Sequence, residues 1–254
     1  MNGDKSLNNK IKTELLNQGT EFVYFVDISS LSEEQNRGYP NAVLFGMTLS
    51  PDYLQKISRD SEYVKKMIQN NQQHRDEFNQ TEKKTDSMAD NLASYLKERG
   101  YDAFSQSEKN LNSAGLYNQE MKRTILPHKT VAGLAGLGFI GKHDLLVTPQ
   151  YGSAVSMCTV LTDAPLKTEI HAPAEPQCRD CRICVDICSD RALMGNTWHV
   201  NTARENLVDV YQCTTCLKCL VFCPWTQKYM KNQLRQQKTG IEPGFFRDSS
   251  EAVE

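Results

Sequence analysis

Eight of the chain's nine cysteines fall in two runs of identical spacing: Cys178, Cys181, Cys184 and Cys188, then Cys213, Cys216, Cys219 and Cys223, the last followed by Pro224. Both read C-x2-C-x2-C-x3-C. Three thiolates at that spacing can wrap one cubic [4Fe-4S] cluster in a tight loop, while the fourth cysteine leads into a helix and ligates the neighbouring cluster. On that logic Cys178, Cys181, Cys184 and Cys223 hold one cluster, and Cys213, Cys216, Cys219 and Cys188 hold the other. Ser189 stands where the pattern has proline, with every thiolate still present. Structural zinc takes two separated pairs of ligands, which leaves the third cysteine of each run surplus. Disulfides need an oxidising compartment, and the polar start from Asn2 to Lys10 resembles neither a secretion signal nor a transit peptide. Cys158, the ninth cysteine, lies in the apolar run Ala154 to Leu161 and reads as a small buried hydrophobe.

The elements that must position these residues are legible in outline. With 254 residues the chain can build one sizeable core and a small second unit. A net charge of -2 supplies no basic surplus for a phosphate backbone, which argues against a nucleic-acid partner. No apolar run approaches the roughly 18 residues of a membrane helix, so a cytoplasmic location is expected. Leu7, Ile11 and Leu15 predict a helix from Asp4 to Gln18, with strands following at Phe22 to Val26 and Ala42 to Leu49. Apolar residues every three or four positions from Ser61 to Arg99 predict one long helix or two in series, capped by Gly100, with His74 packed or solvated. A short strand at Tyr101 to Phe104, a helix from His128 to about Leu137, and strands at Leu145 to Thr148 and Ser153 to Leu161 complete an α/β layer. Ala164 to Pro176 reads as a linker, and beyond Lys231 the chain is expected to fray, with Phe245 and Phe246 docking back.

Gly136, Gly138 and Gly141 match the dinucleotide fingerprint G-x-G-x-x-G, but in reversed context. The fingerprint works after a strand and at a helix start, whereas here a helix precedes the glycines and a strand follows. What bare backbone does allow is close approach to a large flat or anionic ligand.

The stretch from Ala135 to Ser153, then Val160 to Leu166, then the double cysteine run, resembles the epoxyqueuosine reductases and, more distantly, the reductive dehalogenases. The resemblance covers Pro127 to Trp225. It implies an α+β chain: a nitroreductase-like α/β core over residues 1–166 that cradles base-off cobalamin, a bacterial-ferredoxin-like two-cluster domain over 167–235 that relays electrons to the cobalt, and a polar tail over 236–254. It also implies a corrin site lined by Gly136, Gly138, Phe139, Ile140, Gly141, Lys142 and His143 together with the turn Tyr151, Gly152 and Ser153. The alternative is that these residues only form a tight helix-to-strand corner. His143 is disfavoured as an axial ligand, because the related enzymes leave cobalamin base-off without one.

The departures from the family pattern matter as well. The acidic Val-Asp-x-x-Pro segment upstream is replaced by Asn118 to Ile125, and His128 and Lys129 fall where the family has a Glu-Arg pair. The helical-repeat extension and the twin-arginine leader of some relatives are missing, so the expectation is a short cytoplasmic relative with another substrate and no appreciable activity on epoxyqueuosine in tRNA. His128 is the candidate acid, because imidazole titrates near neutral pH. Lys142 is the candidate for orienting an anionic group or a corrin amide. The expected partners are a low-potential electron donor such as ferredoxin or flavodoxin and an unidentified small-molecule substrate. The competing reading is an electron-transfer protein serving a corrinoid or flavin partner.

Overall fold

The computed structural model describes residues 5–239. In chain order its elements are α1 (Lys5–Asn17), β1 (Phe22–Asp27), α2 (Glu33–Asn36), β2 (Asn41–Thr48), α3 (Pro51–Arg59), α4 (Tyr63–Gln69), α5 (Glu77–Lys97), β3 (Ala103–Ser105), α6 (Glu108–Ser113), β4 (Tyr117–Asn118), β5 (Arg123–Thr124), α7 (His128–Leu134), β6 (Phe139–Ile140), β7 (Leu146–Val147), β8 (Val155–Thr162), α8 (Ile183–Asp186), α9 (Lys218–Val221) and α10 (Pro224–Thr239). The main sheet runs β1-β2-β8-β3, and every pair in it is antiparallel. The fold is mixed helix and sheet. No helix among the described residues is long and apolar enough to cross a membrane.

Alternation along the strands sorts side chains to the two faces of the sheet. Val23, Val43, Phe45, Cys158 and Val160 meet the stripes of α1 (Leu7, Ile11, Leu15) and α5 (Met88, Leu92, Leu96) on one face. Burial of each such aliphatic side chain contributes about 2 kcal/mol. On the other face Phe22, Ala42, Leu44 and Leu161 pack against Val131 and Ala132 of α7 and against Leu137, Ile140 and Leu146. A third apolar cluster joins α3 and α4 to α9 and α10 through Leu54, Ile57, Val64, Leu220, Val221 and Tyr229. The helices that carry the later cysteines are therefore packed into the same body as the sheet.

The Ser61 to Arg99 segment, expected as one long helix or two in series, is two helices, interrupted at Asn71, whose φ is 53°, and by a 3-10 turn at Gln73–Arg75. The break exposes His74 to solvent. Asp76 then caps α5 by accepting from the Phe78 N–H at 3.1 Å, and its carboxylate also takes the Tyr53 hydroxyl at 2.8 Å. The expected linker is strapped to the core: the Asp27 N–H donates to the Glu169 carbonyl at 3.1 Å, and the Lys167 N–H donates to Asn8 Oδ1 at 3.0 Å. The chain continues helical past Lys231 as far as Thr239. Phe245 and Phe246 lie outside the described residues.

Candidate metal centre

The two cysteine runs are brought together by short helices. Cys184 sits in α8 and Cys219 in α9, and those two helices pack on each other. Burial pushes the Cys184 thiol up to about 11, with further contributions from its neighbours Cys178, Cys223 and Cys181. Cys219 is raised by burial and then by Cys216, Cys213, Cys184 and Cys188. Cys223 is raised by burial too, opposed by the N–H groups of Trp225 and Thr226 at the start of α10, and it feels Cys178 and Cys181. Cys223 thus lies near Cys178 and Cys181, and Cys219 lies near both Cys184 and Cys188. Metal ligation would reverse the upward shifts, since a bound cation deprotonates its thiols.

All nine cysteines are free. Among the described residues no three His, Cys, Asp or Glu side chains are gathered tightly enough to hold a single metal ion. A cubane is a larger body, offering a separate iron to each of four thiolates, and the eight cysteines of the two runs supply the number and type of donors that two cubanes take. In and beside the two runs, Arg179, Arg191, Thr215 and Leu217 have φ of 44°, 50°, 55° and 60°. Such left-handed non-glycine residues cost about 1–3 kcal/mol each and gather at functional loops.

Ser189, the departure from the ferredoxin pattern, has its own partners. Its hydroxyl accepts from Lys65 Nζ at 3.1 Å and from Lys218 Nζ at 3.3 Å. Lys65 pairs with Asp190 at 2.7 Å, Lys218 pairs with Glu62, and Thr214 bonds to Asp190. This network fastens α4 to both cysteine loops, a tie that proline could not make.

At Gly138, Gly141 and Gly152 the space where a Cβ would stand is filled by the chain's own atoms. Gly136, with φ of 68°, ends α7, where the Leu137 N–H donates to the Ala132 carbonyl at 3.0 Å. A Cβ on Gly138 would meet the Val147 carbonyl oxygen at 2.2 Å, and one on Gly141 would meet the His143 ring at 2.7 Å. Gly152, with φ of 59°, lies against the Thr226 backbone nitrogen, 2.3 Å from where a Cβ would stand. Phe139 and Ile140 are buried, and the Phe139 ring meets Trp225 edge-on at 5.7 Å. Tyr151 lies between Phe22 and Tyr229, and the Ser153 N–H donates to Thr226 Oγ1 at 3.0 Å. The tight-corner alternative describes this geometry.

His128, Lys142 and His143 each have hydrogen-bond partners within the chain. Burial pushes the His128 imidazole down to about 4, and its Nδ1 lies 2.9 Å from Thr159 Oγ1. His143 is likewise lowered to about 4 by burial and then by Lys129. Its Nδ1 accepts from the Leu145 N–H at 3.2 Å and its Nε2 lies 3.3 Å from Ser153 Oγ, so neither nitrogen is free for a metal. Lys142 points to the first cysteine loop, where its Nζ donates to the Arg179 carbonyl at 2.7 Å. Sequence reasoning missed the neighbouring triad in which Asp144 receives Lys129 at 2.5 Å and Arg204 at 3.5 Å, because its members are far apart in the chain. Cys158 is fully buried, its Sγ 3.6 Å from Asp86.

No family model matches the chain. Over 111 residues it is 32% identical to an epoxyqueuosine reductase of Staphylococcus aureus, a stretch that covers 44% of this chain and 25% of that protein. Over 110 residues it is 29% identical to the Bacillus subtilis epoxyqueuosine reductase, covering 43% and 24%. The match thus spans about a quarter of the length of these curated relatives. Among solved structures, an epoxyqueuosine reductase with an epoxyqueuosine-modified tRNA stem loop aligns with a TM-score of 0.52 at 15% identity, covering 87% of this chain and 66% of that one. A catabolic reductive dehalogenase in complex with 3-bromo-4-hydroxybenzoic acid aligns with a TM-score of 0.54 at 16% identity, covering 88% and 32%. In sequence the chain is similar to the epoxyqueuosine reductases, and its fold is one that those enzymes and a reductive dehalogenase share.

Proposed function

We propose that the chain is an iron-sulfur reductase component in which two [4Fe-4S] clusters pass single electrons from a ferredoxin- or flavodoxin-class donor to a low-potential acceptor. What supports this reading is the repeated C-x2-C-x2-C-x3-C spacing of eight cysteines, with Cys184 in α8 and Cys219 in α9 on two helices that pack together. Bound clusters supply one-electron redox chemistry. The chain's own part is to hold them at unequal depth. Cys213 is exposed, which suits electron entry, and Cys184 and Cys223 are buried against the body of the fold, which suits exit. In this reading residues 1–166 form the core, 167–235 carry the clusters and 236–254 are a tail.

A second reading keeps cobalamin and a substrate on this chain, and what favours it is the names of the relatives, among them a B12-dependent dehalogenase. At three of the glycines expected to line the corrin, the space a side chain would take is filled by Val147, His143, Trp225 and Thr226. Titration of the anaerobic, cluster-loaded protein with cobalamin separates the readings. We expect no change in the corrin spectrum and no co-elution on gel filtration. Stoichiometric co-elution would overturn the carrier reading in favour of the cobalamin enzyme.

A further inference from the structure

Lys142 is a buried cation whose one polar contact is neutral. The residue is 8% exposed, and its ammonium donates to the Arg179 carbonyl at 2.7 Å. Among the described residues no carboxylate lies within 4.0 Å of it. Lys218, the other buried lysine, is paired with Glu62. Burying an ammonium against a lone carbonyl is unfavourable unless an anion stands near.

The position of Lys142 names that anion. Arg179 lies inside the Cys178 to Cys181 loop and is left-handed, with φ of 44°. The corner that carries Lys142 is also fastened to the residues just after Cys223: the Phe139 ring lies 5.7 Å from that of Trp225, and the Ser153 N–H donates to Thr226 at 3.0 Å. One corner thus grips two remote segments, and those two segments hold the thiols that gather around Cys184. Four thiolates outweigh the positive charge of a cubane core, so the assembled cluster is anionic, and it becomes more so on taking an electron.

We propose that Lys142 is the counter-charge of the cluster held by Cys178, Cys181, Cys184 and Cys223, and that it raises that cluster's reduction potential above the value the thiolates alone would set. The inference rests on the two-cluster reading above. Its sign follows from electrostatics: an ammonium stabilises the reduced, more negative cluster more than the oxidised one, and charge and hydrogen bonds near the sulfurs tune such potentials. Lys142 is a positioning and charge-compensating residue, with no contact to any reacting substrate required.

The test uses the full chain, anaerobically loaded, with dithionite supplying the single electron to each cluster in an EPR-monitored redox titration. Lys142→Gln keeps a donor for the Arg179 carbonyl and removes the charge, Lys142→Arg keeps both, and Lys142→Met removes both. In Lys142→Gln and Lys142→Met we expect the reduced-to-oxidised ratio at fixed potential to fall about tenfold, about 59 mV for one electron, for one cluster only. That cluster is the one lost in Cys223→Ala. Lys142→Arg should titrate as wild type. Equal potentials in wild type and Lys142→Gln, or equal shifts of both clusters, would overturn the proposal. If the neutral variants fail to load that cluster, loading of Lys142→Arg supports the charge requirement, and failure of all three overturns it. Zinc in place of iron and sulfide in the wild type would instead defeat the underlying cluster reading.

Discussion

Cys223→Ala should lose the cluster held by Cys178, Cys181 and Cys184 and keep the one bound by Cys213, Cys216 and Cys219, its own neighbours in sequence. Iron should drop from about eight to about four per chain, with one of two EPR signals remaining. The reason is the crossed ligation that the spacing implies, with Cys223 near enough to Cys178 and Cys181 to feel their charge. The substitution leaves Pro224 at the first position of α10, so the helix retains its start. Loss confined to the cluster of Cys213, Cys216 and Cys219 would show that ligation is not crossed.

Gly152→Val should destabilise the protein by about 3 kcal/mol, combining a left-handed β-branched residue, about 1–2 kcal/mol, with overpacking, about 1–3 kcal/mol. At this chain length that lowers Tm by about 6–12 °C. The clash is with backbone, the Thr226 nitrogen at 2.3 Å, which cannot swing away as a side-chain tip could. Thr226 is close in sequence to Cys223, so iron loading should fall with Tm. Gly115→Val is the control: Gly115 also has positive φ, 68°, yet nothing lies within 4 Å of its Cβ position, so it carries the strain without the clash. Equal melting of the two variants would contradict the close approach. By the same geometry Gly138→Leu, with the Val147 carbonyl 2.2 Å from its Cβ, would disrupt the β6–β7 pairing and is no selective probe of ligand binding.

The two cysteine runs are legible because their spacing is local, and the expectation of clusters rests on that spacing alone. Leu7, Ile11 and Leu15 were legible for a similar reason, since a helical stripe is visible within a dozen residues. The sheet order was not. β8 sits between β2 and β3 by pairings such as Phe45 with Cys158, which no local pattern encodes. The glycine corner shows the same limit from the other side. A sequence reveals that Gly138 and Gly152 lack side chains, but what occupies the space, Val147 and Thr226, is decided by tertiary packing. The burial that keeps His128 neutral and the path by which Lys142 reaches Arg179 are tertiary as well.

Iron and acid-labile sulfide determination on the protein prepared without oxygen tests whether the thiols hold two [4Fe-4S] clusters. About eight of each per chain are expected. Stoichiometric zinc with no labile sulfide would contradict the cluster reading.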